Sequence, residues 1–402
     1  MAPELVRGTL LILPLALLAG RLLPAWPPLA RVPLSLLVGG LAALAIALWL
    51  PPGVVAYLVS FAIMASIYAV LALGLNIQWG YTGLFNIGIA GFFAIGAFTT
   101  ALVTTTMPTG PIAAFTQQWF GLGAPFLVGV LAAGAVAGVV ALLVGYPTLR
   151  LRGDYLAIAT IGIAELIRLI FQNERWLANG PQPMHGIPQP LSCLVREPVC
   201  PWLPAPLQAF FGPLAPRDYT FIYLLVVTLF VVVIYLALER AIRSPWGRVL
   251  RAIREEEDSA AMSGKDVASF RMQAFVVGAV IMGIGGALYA HHMISIDFSH
   301  FDPLHATFLI WVMLMLGGSG NHRGAILGAF VIWAIWSGTP FVIDMLRPVL
   351  AAISPELPAR GPYLRLLFIA VLLILILLYR PKGLLGEEKT VSLAAAPGRS
   401  GP

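Results

Sequence analysis

Runs of about 20 apolar residues recur from one end of this chain to the other, and about 20 such residues cross a lipid bilayer as an α-helix. Inside hydrocarbon every backbone N–H and C=O group must be paired within the protein, which restricts spanning structure to helices and closed barrels. The repeated runs therefore predict an all-α integral membrane protein, a polytopic bundle of about 10–11 transmembrane helices.

The composition supports the prediction of a membrane protein, because 59% of the 402 residues are hydrophobic and 10% are charged. Soluble domains carry about 25% charged residues. The net charge of +6 is explained by loops that orient the spans and does not indicate nucleic-acid binding. The predicted spans are 8–24, 33–50, 54–76, 85–106, 125–146, 155–173, 219–240, 272–290, 304–318, 324–345 and 363–380.

Lys and Arg residues of the short loops set the orientation of the spans. If every segment crosses once, they fall on one side, which is then the cytoplasm, and the C-terminus is cytoplasmic. The N-terminus lies outside with eleven spans and inside with ten. The loop residues concerned are Arg21, Arg31, Arg150, Arg152, Arg243, Arg248, Arg251, Arg254, Lys265, Arg271, Arg323, Arg380 and Lys382.

The chain divides into N-terminal transmembrane helices (1–53), a helical core (54–385) and a disordered cytoplasmic tail (386–402). Two long loops interrupt the core, a charged cytoplasmic one at 241–272 and a proline-rich extracytoplasmic one at 174–218. The second loop holds Cys193 and Cys200. On an oxidising face they could close a small disulfide, and two free thiols are the alternative.

A glycine-rich stretch, 79–106, follows the polar residues Asn76 and Gln78 and contains Asn86. Glycine permits the broken helices that line transport sites, and it also permits close helix packing, so both interpretations stay open. Unpaired amides are costly in hydrocarbon, which favours a cavity beside Asn76 and Asn86. The predicted pathway residues are Asn76, Gly83, Asn86 and Gly91.

Glu165 and Arg168 are spaced three apart within a predicted span, so their side chains can meet. A membrane carboxylate is a functional candidate by default, but a paired structural ion pair is the interpretation we favour. Six potential ligands cluster further along, at spacings that match no ordinary zinc pattern, so no metal site is predicted. They are His291, His292, Asp297, His300, Asp302 and His305.

The charged loop is predicted to form a helix from Gly247 to Met262, a turn at Gly264 and a second helix that enters the membrane. Within it, Asp258-Ser259-Ala260, three residues and Gly264 resemble the EAA-xxx-G signature of coupling helices in ABC importer permeases. Asp replaces Glu, and Ser replaces the first Ala. Small residues on one face of a short helix suit docking in a groove of a partner.

Three further stretches, 73–98, 149–168 and 317–330, resemble segments of branched-chain amino acid permeases of ABC importers. With the 247–264 segment, the likeness covers most of residues 60–385 in the right order, and the chain resembles the LivM-type subunit. The resemblance implies an ATP-driven importer of branched-chain or hydrophobic amino acids in the bacterial inner membrane. Relatives that carry urea, short amides or aromatic acids leave the substrate open.

The resemblance also implies partners: a second homologous permease, two cytoplasmic ATPases and a periplasmic amino-acid-binding protein. The sequence has no G-x-x-x-x-G-K-[ST] phosphate loop, so this chain binds no cofactor, is not an enzyme, and leaves ATP and magnesium to the ATPases. An ion-coupled secondary transporter and a non-transporting scaffold are the rival hypotheses. The residues implied in coupling to the ATPases are Arg248, Arg251, Arg254, Glu257, Asp258, Ala260 and Gly264.

Overall fold

The computed structural model describes residues 6–12, 14, 16, 51–109, 113, 117–151, 153–195, 200, 204–212, 214–353 and 360–387. The predicted span 33–50, most of the span 8–24, and the residues Arg21, Arg31 and Arg152 lie outside this part of the chain. The choice between ten and eleven spans therefore stays a prediction, as does the disorder of the tail beyond residue 387.

Helices dominate the described residues, and the β-structure among these residues is limited to three isolated β-bridges. Two π-helical turns, Asn76–Gly80 and Leu304–Phe308, adjoin them. From Pro52 onward the α-helices are α1 (Pro52–Leu75), α2 (Ile89–Thr104), α3 (Phe126–Thr148), α4 (Asp154–Asn173), α5 (Arg175–Ala178), α6 (Ala205–Phe211), α7 (Tyr219–Arg243), α8 (Pro245–Glu255), α9 (Glu257–Met262), α10 (Val267–Met293), α11 (Leu309–Gly317), α12 (His322–Ile353) and α13 (Gly361–Tyr379).

Five of the described helices are long and apolar enough to cross a membrane, and shorter apolar helices accompany them. Each span predicted between residues 54 and 380 overlaps a helix of the structure, and the span 304–318 combines the second π-helical turn with α11. The prediction of a polytopic all-helical membrane protein is confirmed. The five long helices are Pro52–Gly80, Phe126–Thr148, Tyr219–Arg243, Val267–Met293 and His322–Pro348, and the shorter ones are Ile89–Thr104, Leu304–Gly317 and Tyr363–Ile376.

Helix α10 lies at the centre of the bundle, packed against α1, α2 and α3. Small residues make these contacts close. A Cβ atom on Gly96 of α2 would collide with the backbone of Gly283, and one on Gly283 would lie 2.6 Å from the Cβ of Ala137 in α3. Helices in hydrocarbon associate through such close packing rather than through the hydrophobic effect.

One end of the bundle, which we call the loop face, carries the connection between α7 and α10. The π-helical end of α1 and the connection between α11 and α12 lie at the same end, because Arg254 contacts Gly80 and Asn76 contacts Gly320. Gly386 and Glu387, expected to begin a disordered tail, are held here by hydrogen bonds instead.

The opposite face carries the long loop between α4 and α7. Cys193 and Cys200 form a disulfide there, with 5.0 Å between their Cα atoms. The backbone N–H of Met184 donates to the carbonyl of Ile296 at 2.8 Å, and the reverse bond measures 3.1 Å. The loop is thus fixed to the segment that follows α10.

Candidate functional site

The chain breaks between its first two described membrane helices. After α1 comes the π-helical turn Asn76–Gly80, and residues 81–88 then form a turn and an irregular stretch before α2 begins at Ile89. Irregular backbone within a membrane protein is tolerated where protein surrounds it or where it lines a cavity. The break therefore marks a place where the bundle differs from simple helix packing.

The break brings the start of α2 to the interior of the bundle. The N–H of Ala90, in the first turn of α2, donates to the hydroxyl of Thr307 at 3.3 Å. Thr307 precedes Gly317, the end of α11, by ten residues, which is about 15 Å of helix at 1.5 Å per residue. The start of α2 is therefore buried inside the bundle, away from the loop face.

Asn76 fixes the π-helical turn to the connection between α11 and α12. Its Oδ1 accepts from the N–H of Gly320 at 2.9 Å, and its Nδ2 lies 3.1 Å from Nδ1 of His322. The side chain is fully buried. Both of its polar atoms are therefore partnered within the chain, as buried amides require.

Gln78 and Asn86 pair with each other across the break. Gln78 Nε2 donates to the carbonyl of Phe275 in α10 at 2.8 Å, and Asn86 Nδ2 donates to Gln78 Oε1 at 2.8 Å. Asn86 Oδ1 accepts from the N–H of Gly88 at 2.7 Å. The expectation that Asn76 and Asn86 face a cavity is wrong here, because both are fully buried and satisfied by internal partners.

Of the two glycines named with them, Gly83 is exposed and Gly91 is buried. A Cβ atom on Gly83 would sit 3.3 Å from Cγ of Arg254, so this residue lies against the charged loop. A Cβ atom on Gly91 would sit 3.0 Å from Cα of Ala164, which places Gly91 in the contact between α2 and α4. Gly91 therefore serves close helix packing, which was the alternative interpretation, whereas Gly83 is an exposed residue with φ +73°. A place for either glycine in a translocation pathway stays a prediction.

An apolar cavity of about 700 Å³, here called the aromatic cleft, lies beside the break. The rings of Trp79, Phe85 and Trp311 contact one another, with centroids 4.9 to 5.2 Å apart. Trp311 Nε1 donates to the carbonyl of Asn86 at 3.1 Å, which ties the cleft wall to the break. The lining residues are Trp79, Phe85, Ile87, Ile161, Pro303, Leu304, Thr307, Phe308, Trp311 and Met315.

This cleft suits an apolar side chain, because ligand sites are concave, mostly apolar and supplied with few polar groups. Thr307 is the hydroxyl residue in its lining. Sequence reasoning missed the cleft, although Trp79 and Phe85 stand within the glycine-rich stretch. Aromatic residues beside a helix break were the available signal. No local sequence pattern predicts their contact with Trp311, which lies more than two hundred residues further along the chain.

Glu165 and Arg168 form an ion pair on α4, one turn beyond the cleft residue Ile161. Arg168 Nε donates to Glu165 Oε2 at 2.9 Å. The guanidinium carbon also lies 5.7 Å from the centroid of the Phe298 ring. The pair is bidentate and internal to one helix, as the structural interpretation predicted.

Among the described residues, no group of three or more His, Cys, Asp and Glu side chains is placed to hold a metal ion. His291 uses both ring nitrogens within the protein. One lies 3.1 Å from the Thr100 hydroxyl and the other 2.7 Å from the Pro188 carbonyl. His305 lies 3.5 Å from the carboxylate of Asp302.

The charged loop folds as two helices rather than the single predicted helix from Gly247 to Met262. Glu256, with φ −154° and ψ 103°, is extended and separates α8 from α9. The predicted turn is present, since Gly264 has φ +76°, a conformation that favours glycine. Glu257 pairs with Arg271 of α10 at 2.9 Å, and this contact holds α9 beside the membrane helix.

The residues expected to couple the loop to a partner fall into two groups. Arg248, Asp258 and Gly264 are exposed, and the neighbouring Met262 is 82% exposed. The others are engaged within the chain, Arg251 with backbone carbonyls, Arg254 with Gly80 and Glu387, Glu257 with Arg271, and Ala260 by burial. The turn at 261–264 is thus exposed, while the two helices of the loop are held to the bundle by one side.

Comparison with known proteins assigns the family. The family model described as "Branched-chain amino acid transport system / permease component" matches residues 57–377. The high-affinity branched-chain amino acid transport system permease protein LivM of Salmonella typhimurium is 32% identical over 334 residues, covering 81% of this chain and 69% of that protein.

Two relatives of lower identity match over larger shares of their own length. The probable branched-chain amino acid transport permease protein LivM of Methanocaldococcus jannaschii is 26% identical over 354 residues, 81% of this chain and 92% of that protein. The guanosine ABC transporter permease protein NupQ of Bacillus subtilis is 24% identical over 290 residues, 70% of this chain and 81% of that protein. No solved structure matches the chain.

Long apolar helices around a broken one, together with a charged loop fixed to the bundle, are the features of a multi-pass membrane protein, and the matched relatives are permeases. The chain belongs to the family of branched-chain amino acid transport system permease components. A permease component is one part of a transport system, so the chain works with other transporter subunits.

Proposed function

We propose that the chain is the membrane-spanning subunit of an ATP-driven ABC importer of branched-chain amino acids. The observation that carries this proposal is the loop between α7 and α10, whose turn around Met262 and Gly264 is exposed while α9 is fixed to α10 through Glu257 and Arg271. Such a loop can transmit a displacement of its exposed turn to a membrane helix. The sequence has no phosphate-binding loop, so ATP is hydrolysed on another chain.

The partners in this proposal are two cytoplasmic ATPases, a second homologous permease and a periplasmic amino-acid-binding protein. The ATPases dock at the loop face, which is then cytoplasmic, and the C-terminus lies on that side. Exposed Arg248 and Asp258 give the docking surface its charge pattern, and Met262 supplies an apolar contact. The location is the bacterial inner membrane.

The aromatic cleft is the proposed passage for the aliphatic side chain of the substrate. It opens beside Phe308, which is 41% exposed, and the second permease closes this side in the assembled transporter. An aliphatic side chain gains about 25 cal/mol for each Å² that it buries against such a surface. Outward and inward access exchange when residues 81–88 change conformation.

Uptake by the reconstituted complex tests the proposal. The chain is placed in proteoliposomes with its ATPases and second permease, and the binding protein is added outside. Uptake of labelled leucine should require ATP inside the vesicles and the binding protein outside. Unlabelled isoleucine and valine should compete, whereas urea and guanosine should not.

Two results would overturn the assignment. Leucine uptake that continues without ATP and collapses with the proton gradient would identify an ion-coupled transporter. Competition by guanosine alone would move the substrate class to nucleosides, in line with the name of the Bacillus subtilis relative. None of the relatives reported above is named for urea, amides or ion-coupled transport.

A further inference from the structure

Arg254, at the end of α8, reaches into the break of the membrane helix. Its Nη1 donates to the carbonyl of Gly80, the last residue of the π-helical turn. Its Nη2 donates to both carboxylate oxygens of Glu387, at 2.9 and 2.8 Å. One guanidinium therefore joins the charged loop, the end of α1 and the C-terminal segment.

The C-terminal segment, residues 381–387, is docked by its backbone and is called the C-terminal clamp. The N–H of Leu384 donates to the carbonyl of Leu316 at 2.8 Å, and that of Leu385 donates to Gly317 at 3.0 Å. Asn321 Nδ2 donates to the carbonyl of Gly386 at 3.1 Å. These bonds place Glu387 beside Arg254 without requiring the ion pair itself.

The same junction includes the connection between α11 and α12. Gly320 donates to Asn76 at the start of the π-helical turn, while Arg254 holds Gly80 at its end. Trp79, which lines the aromatic cleft, lies between these two fixed points. A displacement of α8 therefore reaches a cleft-lining residue through one hydrogen bond and one peptide unit.

Arginine is suited to this position because its planar fork donates in two directions at once from a fixed geometry. A lysine ammonium is a compact point charge and does not reproduce that fork. Arg254 is 22% exposed at its side chain and Glu387 is 36% exposed, so the ion pair itself adds little stability. The contact matters because it fixes the position of the Gly80 backbone.

We propose that Arg254 is a positioning residue that transmits movement of the charged loop to the helix break at Gly80, and that Glu387 of the C-terminal clamp orients it for this task. The proposal rests on the function proposed above. It separates Arg254 from the exposed residues of the loop, because Arg254 faces inward to the bundle rather than outward to the ATPases.

The test compares Arg254→Lys and Glu387→Gln with a matched control, Lys382→Ala, in the full complex reconstituted in proteoliposomes. Lys382 belongs to the same clamp, and its exposed side chain is removed without altering the backbone. Substrate transported per ATP hydrolysed should fall about 10-fold in Arg254→Lys, since a hydrogen bond to a charged group contributes about 1.5–3 kcal/mol. The ratio should fall less in Glu387→Gln and stay at the wild-type level in Lys382→Ala.

A second measurement reports on the cleft directly. The chain has two cysteines, and they are bonded to each other, so Met315→Cys adds a reporter thiol to the cleft lining. In otherwise wild-type protein its labelling rate by a soluble maleimide should change on ATP binding. That change should disappear with Arg254→Lys while ATP hydrolysis continues, which a merely structural role would not produce.

The outcomes separate this proposal from the one it rests on. No ATP-dependent uptake by the wild-type complex would refute the proposed function itself. Wild-type uptake together with an unchanged transport ratio in Arg254→Lys would refute the role of Arg254 alone. If Arg254→Lys fails to assemble and Glu387→Gln keeps the wild-type ratio, the junction serves assembly and the proposal is also wrong.

Discussion

Arg271 donates to Glu257 across 2.9 Å, so the first turn of α9 is tied to the second turn of α10, the helix at the centre of the bundle. The Glu257 side chain is 42% exposed, and such pairs contribute at most about 1 kcal/mol to stability. The contact therefore acts mainly on the direction in which the loop points.

We expect Arg271→Ala to leave the amount of inserted protein unchanged and to lower leucine uptake about fivefold, which corresponds to about 1 kcal/mol. Initial uptake rates in vesicles measure the effect. The exchanged pair, Glu257→Arg with Arg271→Glu, should restore most of the rate. A double variant no better than the single one would show that the ion pair does not orient the loop.

Substitutions at Gly264 should follow the backbone conformation. This residue has φ +76° with open space around its Cα, and its N–H donates to Ala261 at 2.9 Å. Asparagine tolerates positive φ, alanine is strained by about 1–2 kcal/mol, and proline fixes φ near −65° and lacks the N–H. Uptake should therefore decrease from Gly264→Asn through Gly264→Ala to none in Gly264→Pro, with insertion intact in all three. Wild-type uptake in the proline variant would show that the turn at Gly264 takes no part in coupling.

Neutralising Glu165 should have a small effect, because its partner lies on the same helix. Gln can still accept a hydrogen bond from Arg168, and an i,i+3 pair contributes about 0.2–0.5 kcal/mol. We expect Glu165→Gln to keep most of the uptake rate and to leave its dependence on external pH unchanged. Loss of uptake with a shifted pH profile would instead assign a proton-carrying role to this carboxylate.

The cleft prediction uses two phenylalanines with the same exposure. Phe308 lines the cleft and Phe368 lies on α13, and each is 41% exposed. Phe308→Ser should lower the maximal rate of leucine uptake about 10-fold, since losing apolar contact costs about 1–3 kcal/mol. The half-saturating concentration should not change, because the proposed binding protein sets it. Phe368→Ser is the control, and equal rates in both variants would place the passage elsewhere.

Apolar run length predicted the membrane helices well, because hydrocarbon leaves few structural alternatives for such segments. The segment expected at 85–106 is shorter in the structure, since α2 begins at Ile89. The signal for this difference lay in the polar and glycine residues before it. They indicate a break, but they do not say whether the amides face a cavity or each other.

The break at Glu256 could not be predicted locally, because Arg254 to Glu257 are all helix formers. Contacts from distant parts of the chain compete with the helix here. Arg254 is held by Gly80 and Glu387, and Glu257 is held by Arg271. Tertiary interactions outweigh a propensity of a few tenths of a kcal/mol per residue.

The contact between Gly96 and Gly283 has a consequence for motion. Two helix backbones that touch without intervening side chains cannot slide along each other, because bulkier neighbours would collide. Ala137 of α3 closes against the same glycine. A transport movement that keeps these contacts would therefore carry α2, α3 and α10 together, and residues 81–88, which are not helical, would be the place for the chain to bend.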